Sequence, residues 1–518
     1  MACDRRVVVI GAGVGGLAAA MILAAQGVET LVFDMAAAPG GKLREVEVEG
    51  CRIDAGPTVF TLREVFEELF AEAGGDLGSQ LKLHRAQRLA RHAWSGGARL
   101  DLYGDVEANA DAIGAFAGAA EADGYRAFAA RSARIYGTLR DAYIRAPKPN
   151  PVTLAARIGL AKLPDLLAIS PFATLEHSLG EHFRDPRLRQ LFGRYATYCG
   201  SSPYLAPATL MLVAHAEHEG VWYVEGGMRR VAEEMRRLAE RRGARFRFHT
   251  RVKEIIVRNG RVVGVATDRG ERFRADAVVF NGDVAALGEG LLGPRARGAA
   301  PSCGPAKRSL SAITWLGVGE ARGFELIRHN VFFAADYARE FEAIFKHGRL
   351  PAAPTVYVCA SDRQDEGLVA PGAERLFCLV NAPAGWSGTD AAEEFEACEK
   401  AADQLMRNCG LELNWRRRRV TTPNDFAGLF PATGGALYGP ASHGWRASFR
   451  RAGSRTRLPG LYLAGGSVHP GPGLPTVALS GWLAAQALIA DLDLNKSLVP
   501  AAMPGGISTP SATTVAAD

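Results

Sequence analysis

The sequence predicts an α/β protein in two interleaved parts, on three observations. The chain opens with a strand, a glycine turn, a helix and a second strand, "RVVVIGAGVGGLAAAMILAAQGVETLVFD". A strand-rich block between residues 244 and 280 has the same β-branched texture far from the first, and the short apolar strand in "LYLAGGSVHPGPGLPTVALS" runs into a Gly/Pro-rich loop and a last helix. A Rossmann-like domain that the chain leaves and re-enters is therefore expected, with an α+β substrate domain between its pieces. The nucleotide-binding pieces are read as residues 1–80, 206–299 and 456–492, the substrate pieces as 81–205 and 300–455, and residues 493–518 as a disordered tail.

Taken in order, Arg6 to Ile10 reads as a buried strand and Leu17 to Gln26 as an alanine-rich helix stopped by Gly27. Between them Gly11, Gly13 and Gly16 occupy the GxGxxG positions. Gly11 permits the tight turn, Gly13 lets backbone approach a pyrophosphate, and Gly16 lets helix and strand pack closely. The phosphates would face the unpaired N–H groups of a helix start. The second strand, Glu29 to Phe33, ends on Asp34, placed to accept from ribose hydroxyls. The next stretch, "APGGKLREVEVEGCRIDAGPT", adds Gly40, Gly41 and Lys42, a hairpin-like strand pair, then Asp54, Gly56, Pro57 and Thr58. A second glycine pair lets another backbone segment approach the dinucleotide, and a cation there suits a diphosphate or a flavin edge, so FAD is expected rather than NAD.

Residues 81–205 read as helical, rich in Ala and Arg, with an aromatic stretch "FGRYATYCGSSPYLAPATL" and an apolar run "LAARIGLAKLPDLLAISPFATL". Arg157, Lys162 and Pro164 interrupt that run, so it cannot span a membrane, but it suits helices lying on a membrane or lining an apolar tunnel as well as it suits ordinary core helices. Gly226 and Gly227 open a helix with Met228, Val231, Met235 and Leu238 on one face. The strands after it turn at Asn259-Gly260 and Arg269-Gly270.

The GxGxxG, acid and GG(K/R) arrangement resembles the amine-oxidase and phytoene-desaturase superfamily of flavoproteins. "DAGPT", "CLVNAPAGW" and "TTPNDFAGLFPATGGALYG" resemble its carotenoid-desaturase branch, and the resemblance covers Val7 to about Leu492. It implies that the backbone at Val252 lies beside the adenine. It also implies that Gly465 and Gly466 approach the ribityl-diphosphate, and that "HPGPGLP" and the helix from Pro475 wall the isoalloxazine. It implies an apolar carotenoid substrate drawn from a membrane, hence a cytoplasmic protein held peripherally on an inner or photosynthetic membrane, with oxygen or a quinone as final electron acceptor. Segment 89–105, "LARHAWSGGARLDLYGD", resembles the purple-bacterial branch that desaturates 1-hydroxy- or methoxy-carotenoids such as hydroxyneurosporene at the 3,4 bond. Phytoene desaturation is the alternative.

In such a reaction hydride passes to flavin N5 and a proton leaves the adjacent carbon, so the protein mainly supplies orientation and dryness. A hydride lost beside a conjugated chain leaves a delocalised cation, and no strong protein base is required. The catalytic residue is therefore left unassigned: His469 is a weak acid–base candidate and reads better as part of the loop wall, while Asp54 and Arg63 read as structural or near the cofactor.

The bulk numbers exclude other classes. A net charge of +6 comes from 61 basic and 55 acidic residues spread along 518 positions, without the basic arm that nucleic acid would call for. The eight cysteines show neither CxxC spacing nor a Cys/His cluster, so no metal site or disulfide framework is expected. The start, "MACDRRVVVIGAG", lacks a signal-peptide pattern. Two rivals share the architecture: a non-catalytic escort that binds isoprenoid chains, and a soluble amine oxidase. The amine oxidases usually place an acid after Ala-Gly, where this chain has Gly466 and Ser467 after Ala464-Gly465.

Overall fold

The computed structural model describes residues 3–159, 169–170, 172–301, 304, 307–364, 367–368 and 372–497. Strand β1 (Cys3–Ile10), helix α1 (Val14–Ala25) and strand β2 (Val28–Phe33) form the first unit. Helix α2 (Arg229–Arg241), strand β3 (Arg245–Arg247) and strand β4 (Ala277–Phe280) follow much later, and strand β5 (Leu461–Leu463) and helix α3 (Leu474–Ser497) close the chain. The five strands make one sheet in the order β3-β2-β1-β4-β5. All its pairings are parallel. Val7, Val8 and Val9 are fully buried, as strands of a sheet covered on both faces must be.

Helix α1 has almost no polar face: every residue from Val14 to Ala24 is buried. It packs between α2 and α3, and α2 presents Val231, Met235 and Leu238 to it while its arginines pair with Glu233 and Glu240 and with the buried Glu234. At the crossing of α1 and α3 a Cβ on Gly481 would lie 2.0 Å from the Gly15 carbonyl oxygen, so the two helices touch through their backbones. Strands β2 and β4 leave β1 in opposite directions across the sheet, which opens a crevice beyond its carboxyl end, where α/β sheets bind ligands.

The second unit is a seven-stranded sheet in the order 412–421, 311–322, 374–382, 356–360, 329–333, 88–94, 99–103. Its last two strands come from the stretch read as helical in sequence. Arg88–Trp94 and Arg99–Tyr103 pair antiparallel, and Arg88–Trp94 runs parallel to His329–Phe333. The alternation in "RLARHAW" is masked because the strand is covered on both faces along most of its length, with His92 enclosed against Phe333. Helices between residues 106 and 218 cover this sheet around Tyr125, Phe128, Phe183 and Phe192.

Part of the apolar run lies outside the described residues: Pro151–Ile158 is helical, and 160–168 are not described. Helix α3 continues to Ser497, past Leu492 where the last nucleotide-binding piece was expected to end; the rest of the expected tail, residues 498–518, lies outside the described residues.

Candidate active site

The glycine turn after β1 is built as the spacing requires. Gly11 sits at φ +98° and donates its N–H to the Phe33 carbonyl at 2.7 Å. Gly13 is the N-cap of α1 in ordinary extended geometry, and no side chain caps the helix, so its first N–H groups are left for an anion. A Cβ at Gly16 would sit 1.9 Å from the Gly11 carbonyl oxygen. Asp34 uses one carboxylate oxygen for the Ala12 N–H (2.6 Å) and the other for the Ala36 N–H (2.7 Å), tying the turn to the end of β2. Burial raises its pKa, and these two bonds restrain the rise.

The second glycine pair closes on the first. Gly40 bridges Gly13 and donates to the Ala12 carbonyl at 2.9 Å, and a Cβ on Gly41 would lie 3.2 Å from the Gly13 Cα. Next to it Lys42 is enclosed. Its ammonium donates to the Leu437 carbonyl and lies 5.4 Å from the centre of the Phe430 ring, so it ties the first piece of the chain to the fourth. Burial pulls its pKa down to about 8, against the opposing pull of Asp283, which itself pairs with Arg308 at 3.0 Å. Gly56 packs on the Lys42 carbonyl, Pro57 is exposed, and Thr58 Oγ1 meets the Tyr357 hydroxyl at 2.7 Å.

Val252 starts the strand Val252–Arg258, buried and two residues from Thr250, whose N–H bonds the Asp34 carbonyl at 2.9 Å. Gly465, at φ +112°, donates to Ser480 Oγ at 3.2 Å, the Gly466 carbonyl accepts from Arg451 at 2.9 Å, and Pro475 lies in the first turn of α3. The structure thus brings the three glycine segments together around one crevice.

Three further residues have assigned partners. Asp54 accepts the Met228 N–H at 2.8 Å at the start of α2, and Arg63 pairs with Glu67 on the surface at 2.8 Å. His469 is 1% exposed; its Nε2 lies 3.0 Å from the Tyr143 carbonyl and 2.9 Å from the Ala146 carbonyl. Both partners are acceptors, so Nε2 carries the proton and Nδ1 is an acceptor, buried without a partner among the described residues. Burial, offset by these carbonyls, takes the ring down to about pKa 4. Its geometry is that of a neutral brace between the C-terminal loop and the segment around Tyr143.

Asn281 was missed in the sequence. It follows β4, donates through Nδ2 to the Gly11 carbonyl at 3.2 Å, and would be met by a Cβ on Gly13, Gly15, Gly16 or Gly465. The signal was an amide directly after the apolar run "AVVF", but only the pairing of β4 with β1 shows what it serves. We expect Asn281→Ala to leave that carbonyl unpaired, costing about 1–2 kcal/mol, and to weaken FAD binding roughly tenfold; an unchanged fluorescence titration would refute this role.

Residues 14–489 match the family of flavin-containing amine oxidoreductases. The chain belongs to this family. Among its relatives are two proteins named hydroxyneurosporene desaturase. One, from Rubrivivax gelatinosus, is 53% identical with 98% of each chain covered. The other, from Cereibacter sphaeroides, is 45% identical with 94% of this chain and 98% of that one covered. A solved putrescine oxidase has the same fold at 16% identity, with a TM-score of 0.56 over 94% of this chain and 99% of that one. The family makes FAD the cofactor, and the crevice suits it: uncapped N–H groups at α1, two glycine segments in contact, and a buried imidazole acceptor at the other end. Among the described residues no group of His, Cys, Asp or Glu could hold a metal ion.

Proposed function

We infer that this chain is an FAD-dependent carotenoid desaturase that introduces the 3,4 double bond of a 1-hydroxy- or methoxy-carotenoid such as hydroxyneurosporene. The observation that carries this reading is the likeness, over nearly the whole of both chains, to the two hydroxyneurosporene desaturases.

The chemistry that FAD would supply here is hydride acceptance from the substrate carbon, with oxygen or a quinone as the final acceptor of the electrons. In this reading the α1 N–H groups and Gly13 hold the pyrophosphate. Asp34 would meet the ribose, Val252 would flank the adenine, and Gly465, Gly466 and Pro475 would back the ribityl chain. Lys42, Gly56, Pro57 and Thr58 border the reactive edge, and His469 braces the loop that walls it. The site would keep bulk water from the cation formed as hydride departs, and because that cation is delocalised and strongly acidic at the neighbouring carbon, a weak acceptor such as a single water at the mouth of the site would suffice for the proton.

A membrane face accords with the exposed Val152 and with Phe172, 74% exposed and packed edge-on to Trp445 at 5.4 Å, with Arg446 over the same Trp445 ring. No helix among the described residues is long and apolar enough to cross a membrane.

The test is expression in cells that make neurosporene, with and without its 1-hydroxy derivative. A red shift by one conjugated double bond only with the hydroxylated substrate supports the reading. Desaturation of phytoene instead, or oxidation of small amines by the pure protein, refutes it.

A further inference from the structure

Beside the Lys42 turn lies a chamber built from parts of the chain far apart in sequence, and it contains one cation without an anion bonded to it. Arg194 opens the short helix Arg194–Cys199. Its guanidinium carbon lies 5.2 Å from the centre of the Tyr357 ring and 5.7 Å from that of Tyr198. Among the described residues no acceptor lies within hydrogen-bond reach of it. Glu217 and Glu340 are close enough to feel its charge but do not bond it.

Around it the Tyr195, Tyr198 and Tyr357 hydroxyls have partners, while the Tyr337 hydroxyl and His329 Nε2 are buried without one among the described residues. The Tyr195 hydroxyl donates to Glu217 Oε2 at 2.8 Å, and Tyr198 also bonds Glu217. The Tyr357 hydroxyl is shared between Thr58 Oγ1 and His329 Nδ1, each at 2.7 Å. Tyr198 retains 36% of its surface, with Tyr195 edge-on at 5.6 Å and Glu217 and Tyr438 nearby. That open surface belongs to a ring that the Arg194 guanidinium overlies. A guanidinium stacked on two aromatic rings is held rigidly, with N–H groups left over for an oxygen acceptor.

Resting on the reading above, we propose that Arg194 binds the oxygen at C1 of the carotenoid and so selects the oxygenated end of the polyene. Position supports this. In a 3,4-desaturation the C1 oxygen is only two carbons from C3, so its partner must stand next to the reactive edge of the cofactor. The path there is short: Gly56 packs on the Lys42 carbonyl, Thr58 bonds Tyr357, and Arg194 lies over Tyr357. Hydroxyl and methoxy oxygens both accept from a guanidinium, so one donor serves both substrate types. A hydrocarbon end would leave the cation desolvated and unpaired, which is costly. Arg194 is thus a specificity and positioning residue; the electron chemistry does not pass through it.

The experiment compares purified wild-type flavoprotein with Arg194→Leu and Arg194→Lys, measuring kcat/KM on a 1-hydroxycarotenoid and on the same polyene without the oxygen, with the flavin spectrum as control. Arg194→Leu should keep its flavin, lose about 10- to 100-fold on the hydroxylated substrate and lose the preference for it, with Arg194→Lys in between. Flavin-replete Arg194→Leu with wild-type kcat/KM and preference overturns the proposal. If the leucine variant loses its flavin, an unchanged preference in Arg194→Lys overturns it equally. Wild-type protein that leaves the hydroxylated polyene untouched brings down the desaturase reading itself, a failure seen before any variant is made.

Discussion

Gly13→Val is expected to give a folded, colourless protein. Gly13 sits at φ −71°, ψ 172°, a conformation open to any residue, and within 4 Å a Cβ there would meet only Asn281 Nδ2, at 3.0 Å. The added isopropyl group would fill space between the two glycine segments where the pyrophosphate belongs, so FAD affinity should fall by a factor on the order of 10³ or more, ~4 kcal/mol, and activity with it. Loss of the cap glycine costs the fold only ~1 kcal/mol. Gly16→Val is the contrasting case. Its Cβ would lie 1.9 Å from the Gly11 carbonyl oxygen, a backbone atom that cannot step aside, and overpacking of this kind costs about 3 kcal/mol or more. Circular dichroism and absorbance separate the two: Gly13→Val should melt near the wild type without yellow colour, whereas Gly16→Val should melt early. A yellow Gly13→Val protein would show that the phosphates lie elsewhere.

Acid should destabilise the protein before most of its carboxylates are protonated. Burial lowers the pKa of His92 and His329 to about 3 and of His469 to about 4, and these three side chains are 5%, 3% and 1% exposed. Burial also lowers the half-buried His218 and His443 to about 4. A histidine with a depressed folded-state pKa is neutral in the fold and takes up a proton on unfolding below about pH 6.5. Its stabilising contribution is intact above that pH and is lost progressively as pH falls towards the folded value, at about 2 kcal/mol for each fully buried ring by pH 5. Glu217 acts the other way. Burial raises its pKa to about 7, so the folded state holds a proton between roughly pH 7 and 4.5 that the unfolded chain does not. Asp34, Asp54 and Glu340, also raised by burial, oppose the histidines at lower pH. Three enclosed rings outweigh this opposition, so the melting temperature should fall between pH 7.5 and pH 5, more steeply in Glu217→Gln; a flat profile would contradict the assignment of neutral, enclosed imidazoles.

Much of the nucleotide half was legible because its determinants are local. A β-branched run, glycines at fixed offsets and an acid at the end of β2 specify strand, turn and helix over about thirty residues, and such short-range geometry leaves a pattern. The substrate half was harder. The strands Arg88–Trp94 and Arg99–Tyr103 lie in a stretch whose Ala- and Arg-rich pattern reads as helix, because a strand enclosed on both sides loses its polar alternation, and its partner His329–Phe333 lies far along the chain. Asn281 is unremarkable in sequence and becomes part of the glycine turn only when β4 lies beside β1.

His469 shows the same division. Its place in a Gly/Pro-rich loop after Ala-Gly marked it as close to the site, but its protonation is set by the Tyr143 and Ala146 carbonyls, which no local pattern announces. Lys42 likewise looked like a cation for a diphosphate, and the fold gives it the Leu437 carbonyl from the other end of the chain. By itself the sequence determined the family, the cofactor and the backbone of the phosphate turn, since these depend on residues close together in the chain. Tertiary structure alone decided which side chains converge on the chamber around Arg194 and what each is bonded to, because desolvation and hydrogen-bond partners depend on neighbours in space.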